Sequence, residues 1–425
     1  MTQRREWVSI VQAAAFGLLL TYYAMLACVL SSRAWSFDFV QLSASSLALA
    51  RGESPYSPQR LAAVGVPPQP SGAPDPVHSN LNAPLMAILL VPLTGLGMAR
   101  SYLVWSFFGI VGVLVSGWLV WRALARRQRD HRELIWLWIA LLAYYPTHTA
   151  LLLGQVTFVT MLPVVGAWAA ARRSRDGLAG VLLGLALHFK LFVALLAVFF
   201  IVRLRWRVVL WMAGSAAAIG LLTLPLVGTR SYVEYAEALQ SVTWFGNTWN
   251  ASYQSFFTRI LGGSENVPAM NMPALASVLV TACSVITLAA LIWLTRLLSR
   301  DEASADRFDL GYGLTITSML LISPLGWMYY FPILVLPGYS VWAIAGERRM
   351  QRYVAVLVIA WVLSTVPTSM VEAADANDPA AWFTSNSVYF YALVIFAGVV
   401  GSMLHALNAK PSPRDDIAAR SAVGR

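Results

Sequence analysis

The stretch GLAGVLLGLALHFKLFVALLAVFFIVRLRWR, Gly177 to Arg207, decides how this chain meets its solvent. It holds two apolar segments, 177–189 and 191–202, of about 13 residues each, and a helix of that length rises only about 20 Å. A hydrocarbon core is about 30 Å thick, so neither segment crosses it alone. Yet both ends are basic: Arg172, Arg173 and Arg175 precede the stretch, and Arg203, Arg205 and Arg207 close it. Such clusters stay on the cytoplasmic side. The consistent reading is a hairpin whose tip, His188 and Lys190, stops inside the membrane. Irregular backbone at that depth must be buried in protein or line a wet cavity.

The same alternation of apolar run and arginine cluster extends outward in both directions. Spans are expected at 8–30, 101–121, 208–227, 272–295, 353–370 and 387–408, with paired runs at 134–152 and 156–171 and at 310–325 and 328–346. The run 84–98 is short and holds Pro84 and Pro92, so it reads as a partial or interfacial segment. With both termini in the cytoplasm, 23 of the 30 Lys and Arg residues fall on the inner side and 7 elsewhere. The opposite orientation would translocate almost every basic loop. A single membrane domain is expected over 1–409, with outer loops near 32–100, 228–271 and 371–386 and a disordered cytoplasmic tail over 410–425.

Composition agrees. Of the 425 residues 58% are hydrophobic and 12% charged, where a soluble domain carries about 25% charged. The fold class is an all-α polytopic membrane protein, with about 10 to 12 transmembrane helices depending on how the short segments are counted. The net charge of +10 sits in clusters between apolar runs, which marks orientation in a lipid bilayer and excludes a nucleic-acid surface. Cys28 and Cys283 lie in apolar runs and make neither a metal spacing nor a disulfide framework. The opening MTQRREWVSIVQ lacks a small-residue cleavage site, so the first helix is read as retained. No Walker A loop, HExxH helix, nucleophile elbow or Rossmann glycine pattern occurs, and no cofactor is expected.

A few polar residues stand where chemistry could occur. Asp38, in WSFDFVQ just beyond the first span, is flanked by aromatics. A carboxylate near apolar surface has a raised pKa and suits a general base, or it caps a short helix over VQLSASSLALA. Lys190, one of two lysines in the chain, lies inside LALHFKLFVAL. An intramembrane Lys is a functional-site hypothesis with an anion such as phosphate as partner, the alternative being a snorkelling side chain. His188 beside it is either a core residue or a phosphate donor. Gln155, in LLLGQVTF, could bind a sugar hydroxyl or cap the next helix. Trp244, Asn247, Asn250, Tyr253 and Arg259 in the second outer loop, and Trp327, Tyr329 and Tyr330 after Ser323-Pro324, suit either sugar stacking or an interfacial aromatic belt.

Six stretches in order carry a resemblance: DFVQLSASSLALARGESPYSP, NLNAPLMAILLVPL, LLLGQVTFVTMLP, GLAGVLLGLALHFKLFVALL, NTWNASYQSFFTRIL and SPLGWMYYFPILVLP, over about residues 37 to 340. Together they resemble glycosyltransferase family 87, of the membrane-embedded GT-C class. The resemblance implies a GT-C fold in the cytoplasmic membrane. It implies a polyprenyl-phosphate sugar donor, usually mannose, and inverting transfer to a glycan or glycolipid on the outer face. In that reading Asp38 matches the general base. Lys190, with His188 and Arg259, would meet the donor phosphate. Gln155, Asn82, Asn247, Trp327, Tyr329 and Tyr330 would touch substrate, and no metal is assigned. Where many relatives carry a histidine pair after the Trp of the SPxxW turn, this chain has Met328, Tyr329 and Tyr330. A transporter or flippase of lipid-linked glycans would also carry an intramembrane Lys, but it predicts internal repeats, and none is evident. A non-catalytic envelope-assembly protein would leave Asp38 and Lys190 replaceable.

Overall fold

The structure is a computed structural model and describes residues 2–33, 37–56, 80–124, 130–262, 270–296, 305–372, 381 and 383–409. The tail expected at 410–425 and parts of the three outer loops lie outside the described residues. In chain order the helices are α1 Thr2–Arg33, α2 Phe37–Ala50, α3 Pro84–Thr94, α4 Met98–Leu124, α5 His131–Leu142, α6 Tyr145–Leu152, α7 Thr157–Ala171, α8 Asp176–Leu187, α9 Leu196–Val202, α10 Trp206–Gln240, α11 Tyr253–Leu261, α12 Pro273–Arg296, α13 Ala305–Ile322, α14 Val335–Arg348, α15 Gln351–Ser364, α16 Thr368–Glu372 and α17 Val388–Ala409.

The chain is an all-α, multi-pass membrane protein. Six helical stretches among the described residues are long and apolar enough to cross a bilayer: Trp7–Ser31, Met98–Leu124, Trp206–Gln240, Pro273–Arg296, Met328–Arg348 and Ser385–Ala409. A seventh forms if α5 and α6, bent by 60° at their junction, are one broken span. Five further apolar helices have only 10–17 residues, among them α3, α8 and the stretch Leu191–Val202.

The span expected at 353–370 is split into α15 and α16, and two further boundaries differ from the sequence reading, each for a local reason. The run 134–152 is not one helix: it breaks before Tyr145, where Tyr144 is extended as the N-cap and Pro146 stands in the first turn of the new helix, a position that suits proline. The helix expected to end near 227 runs on to Gln240, with a kink at Gly228, whose φ of 76° only glycine adopts easily. Beyond the kink Arg230 Nε donates to Glu234 Oε1 at 2.8 Å, one helical turn away, which supports the extension.

Two compact units divide the chain. The first comprises Met1–Ala167, Gly177–Val193 and Leu210–Thr243. In it α1 lies along α4 and α5, and α2 packs on α3. Tyr23 on α1 donates to the Leu142 carbonyl at 2.6 Å, closing the end of α5. α8 and α10 touch almost backbone to backbone: a Cβ on Gly184 would come within 2.6 Å of the Met212 carbonyl. Close approach through a small residue is how helices associate where the solvent is itself apolar.

The second unit comprises Trp168–Asp176, Ala194–Val209 and Trp244–Arg425. Its centre is α13, packed between α12, α14 and α17. Phe199 meets Phe200, Phe308 and Tyr312 edge to face, with Phe199 and Tyr312 centroids 5.6 Å apart. Asp309, fully buried, accepts from Trp168 Nε1 at 2.9 Å and Arg172 Nε at 3.0 Å.

Candidate active site

The first turn of α2 carries Asp38, so the carboxylate belongs to the helix and does not stand outside it as a cap. The main-chain donors of a first turn have no partner within their own helix. One of them, Phe39 N–H, donates to the Leu153 carbonyl at 3.1 Å, at the end of α6. The loose donors of one helix are thus satisfied by a loose carbonyl of another, and Asp38 is fixed against the α6–α7 junction.

That junction is a tightly made turn. Gly154 adopts φ of 63°, Gln155 N–H returns to the Ala150 carbonyl at 2.9 Å, and Gly154 N–H returns to Leu151 at 3.1 Å. The pair is a Schellman motif, which needs a left-handed residue, and glycine supplies it without strain. Helix α4 holds the same turn from the side. Trp105 Nε1 donates to the Gly154 carbonyl at 2.8 Å, and Tyr102 Oη reaches the Leu151 and Leu152 carbonyls at 3.1 and 3.2 Å. Phe39 lies edge-on to Tyr102, with centroids 5.5 Å apart.

A small apolar core explains why the distant polar residues meet. Leu42 of α2, Leu85, Met86 and Leu90 of α3, Val156 and Phe189 form one buried cluster. Leu42 lies one helical turn after Asp38, Val156 directly follows Gln155, and Phe189 directly precedes Lys190. Burying the apolar neighbours carries the three polar side chains to one place. Each such burial contributes on the order of 2 kcal/mol.

Asp38 accepts a hydrogen bond from the Gln155 amide and feels the charge of Lys190. It keeps some accessible surface, but the protein around it is dense enough that burial dominates its titration. Burial raises the carboxyl to about 6, against the Gln155 hydrogen bond and the Lys190 charge, which lower it. A carboxylate with that pKa is ionised at neutral pH and still basic enough to take a proton.

Lys190 sits at the break between α8 and the 3-10 turn Leu191–Leu195, where the sequence reading expects the helix to be interrupted. Lys190 N–H closes the end of α8 on the Ala186 carbonyl at 3.0 Å. His188 Nε2 lies 2.9 Å from the Ala216 carbonyl. A carbonyl only accepts, so this nitrogen carries the proton, and it ties the end of α8 to α10.

Asn82 lies before α3, whose first helical residue is Pro84. Its main-chain N–H and its Nδ2 both donate to Asn80 Oδ1 at 3.0 Å, while Asn80 Nδ2 donates to Ser45 Oγ on α2 at 3.0 Å. Tyr56 Oη donates to the Asn82 carbonyl at 2.7 Å. Among the described residues Asn82 Oδ1 is buried with no hydrogen-bond partner.

The other expected site residues belong to the second unit. Arg259, on α11, is 1% exposed. It donates through Nη1 to the Asn247 and Asn250 carbonyls at 2.9 and 3.2 Å and to Ser255 Oγ, and through Nη2 to Ser387 Oγ at 3.2 Å. All of these acceptors are neutral groups of its own unit. Asn247 Oδ1 accepts from Trp249 N–H at 2.8 Å, closing its own turn. Trp327 stacks on Tyr329, with centroids 5.7 Å apart, and Tyr330 meets Tyr329 edge-on. Of the expected site residues, Gln155 therefore meets Asp38 through its amide and Lys190 meets it through its charge, while His188 is held on α10. Sequence reasoning missed Tyr102, Trp105 and Asn80. Tyr102 and Trp105 stand three apart, on one face of a helix, and that spacing was the available signal.

Residues 80–324, more than half of the chain, match glycosyltransferase family 87. The chain is also similar to the polyprenol-phosphate-mannose-dependent alpha-(1-2)-phosphatidylinositol pentamannoside mannosyltransferase of Mycolicibacterium smegmatis. The two are 26% identical over 289 residues, covering 67% of this chain and 65% of that protein. The chain thus spans a little under two thirds of the length of that curated relative. The family match contains Gln155 and Lys190, while Asp38 precedes it. On the extent of that match, the chain belongs to glycosyltransferase family 87.

Proposed function

We propose that the protein is a membrane glycosyltransferase that moves a sugar, mannose by the likeness to the mycobacterial enzyme, from a polyprenyl-phosphate donor to a glycan or glycolipid acceptor. The reaction takes place at the outer face of the cytoplasmic membrane, with both termini in the cytoplasm, as the arginine distribution supports. The observation that carries the reading is Asp38 itself. It is a partly accessible carboxylate at the start of a helix, held by an amide and facing a lysine, with its pKa raised to about 6.

In this reading Asp38 takes the proton of the acceptor hydroxyl. The hydroxyl oxygen attacks the anomeric carbon from the side opposite the phosphate, and the carbon–oxygen bond to the phosphate breaks. The configuration inverts, the proton stays on Asp38, and polyprenyl phosphate departs. Phosphate is a good leaving group, so the need is for positive charge where negative charge develops. Lys190 supplies that charge, and His188 steadies the turn that carries it. Asn82, with an amide oxygen lacking a protein partner among the described residues, offers an acceptor for a sugar hydroxyl.

The test is transfer from labelled polyprenyl-phosphate mannose in membranes holding the wild-type chain or Asp38→Asn. Asn keeps the shape and loses the base, so labelled product should vanish while the amount of protein stays constant. Full transfer by the variant would falsify the base assignment. A flippase would move the labelled lipid across the bilayer and form no new glycoside.

A further inference from the structure

Gln155 is built into the first unit more firmly than a substrate-binding side chain requires. Its main-chain N–H closes the Schellman turn on Ala150, the preceding carbonyl is held by the Trp105 indole, and the following residue, Val156, is anchored in the apolar core. The residue is 7% exposed. Its side chain therefore has little freedom to follow a substrate. It points instead to the carboxylate that Phe39 N–H holds against the same turn.

We infer that Gln155 is a positioning residue for Asp38, its amide N–H holding one carboxylate oxygen so that the other faces the acceptor hydroxyl. The inference rests on the reading of Asp38 as the base. A hydrogen bond to the ionised form also favours ionisation. Gln155 thus keeps Asp38 charged at a pH where burial alone would begin to protonate it. The other titratable side chains on the elements packed there are accounted for. Lys190 bears on Asp38 directly, His188 is held on Ala216, and Tyr102 is held on the α6 carbonyls. Tyr145 and His148 of α6 stack with each other, and His148 also stacks on Tyr22.

The experiment measures the pH profile of sugar transfer in membranes holding the wild-type chain, Gln155→Met, Gln155→Glu or Asp38→Asn, with protein amount and thermal unfolding recorded alongside. Met keeps the length of the side chain without its donor, and Glu keeps the shape but adds a second carboxyl beside Asp38. Either variant that accumulates to the wild-type level suffices. The acid limb should move upward by about one pH unit in Gln155→Met, the size of one hydrogen bond to a charged group, and further in Gln155→Glu. Activity lost at neutral pH should return as the pH is raised. A residue that only braced the turn would lower the unfolding temperature and leave the limb in place, and that result overturns the proposal. Transfer that survives in Asp38→Asn overturns the base reading itself. Loss there with an unmoved limb in the Gln155 variants overturns the role of Gln155 alone.

Discussion

Two carboxylates, one in each unit, show how differently burial can be used. Asp309 has no exposed surface and is gripped by an indole N–H and a guanidinium at 2.9 and 3.0 Å. It accepts from an arginine in a direct ion pair, so its charge is compensated and its position is structural. Asp38 keeps part of its surface accessible and is held by a neutral amide, with Lys190 acting through its charge. The first arrangement fixes a carboxylate through two donors to one oxygen and compensates its charge. The second leaves it desolvated, oriented and still able to take a proton.

The sharpest way to break that contrast is to neutralise each carboxylate. Asp38→Asn should lower transfer about a thousandfold, within the range expected for loss of a positioned base, and leave the unfolding temperature near that of the wild type. Asp309→Ala should do the reverse. It leaves the Trp168 N–H and the Arg172 cation without their acceptor, at a cost of about 3 kcal/mol for a broken buried pair. The protein should accumulate poorly or unfold at lower temperature, and the fraction that folds should retain its rate per molecule. Equal loss of rate in both folded variants would erase the distinction.

The sequence made half of this contrast readable. A lysine inside an apolar run is expensive, so Lys190 announced itself, and the mismatch between segment length and bilayer thickness pointed to a break in the helix there, which the structure has. Asp38 stood out as an acid beside a span. Its pairing with Gln155 did not, because that contact depends on Leu42, Val156 and Phe189 sharing one core. Nothing in three separate short apolar runs says which of them will pack together. Arg259 illustrates the opposite difficulty. The resemblance assigns it to the donor phosphate, while the atoms it holds are carbonyl and hydroxyl oxygens, and main-chain acceptors leave no mark in a sequence. The helical extension past Gly228 was hidden by its polar composition, although the spacing of Arg230 and Glu234 fits a helix.

Lys190→Met sharpens the comparison at the next level of effect. It removes the charge that lowers the pKa of Asp38 and the cation assigned to the leaving phosphate. Transfer should fall about a hundredfold, the scale of one electrostatic contact to a developing charge, and the acid limb should move to higher pH. Lys190→Arg should restore only part of the rate, since a planar fork does not replace a point charge in a confined site. A rate loss with no movement of the limb would mean that Lys190 serves the phosphate and does not tune the base.

A smaller effect follows from the pKa itself. The base must be ionised to act, so transfer by the wild-type chain should rise with pH through about 6, whereas an ordinary aspartate would place that limb near 4. The direction is fixed by the cause, because burial disfavours the charged form and moves the limb upward. A limb near 4 would mean that Asp38 is solvated in the working enzyme.

The smallest expected effect lies two turns along α2 from the base. Ser45 is seven residues after Asp38, so it lies on the same face and about 10 Å further along the helix axis. Through Ser45 and Asn80 that face holds Asn82 in place, leaving Asn82 Oδ1 buried without a partner among the described residues. A buried carbonyl oxygen without a partner costs about 1 to 3 kcal/mol, and a sugar hydroxyl arriving there would recover part of it. Asn82→Ala should therefore raise the KM for the acceptor about tenfold and change kcat little, because the contact is as good before the reaction as during it. The KM for the polyprenyl donor should not move. If the donor KM rises instead, Asn82 reads the transferred sugar and the acceptor approaches Asp38 from elsewhere. If neither moves, Asn82 only closes the start of α3, and its role is as structural as that of Asp309.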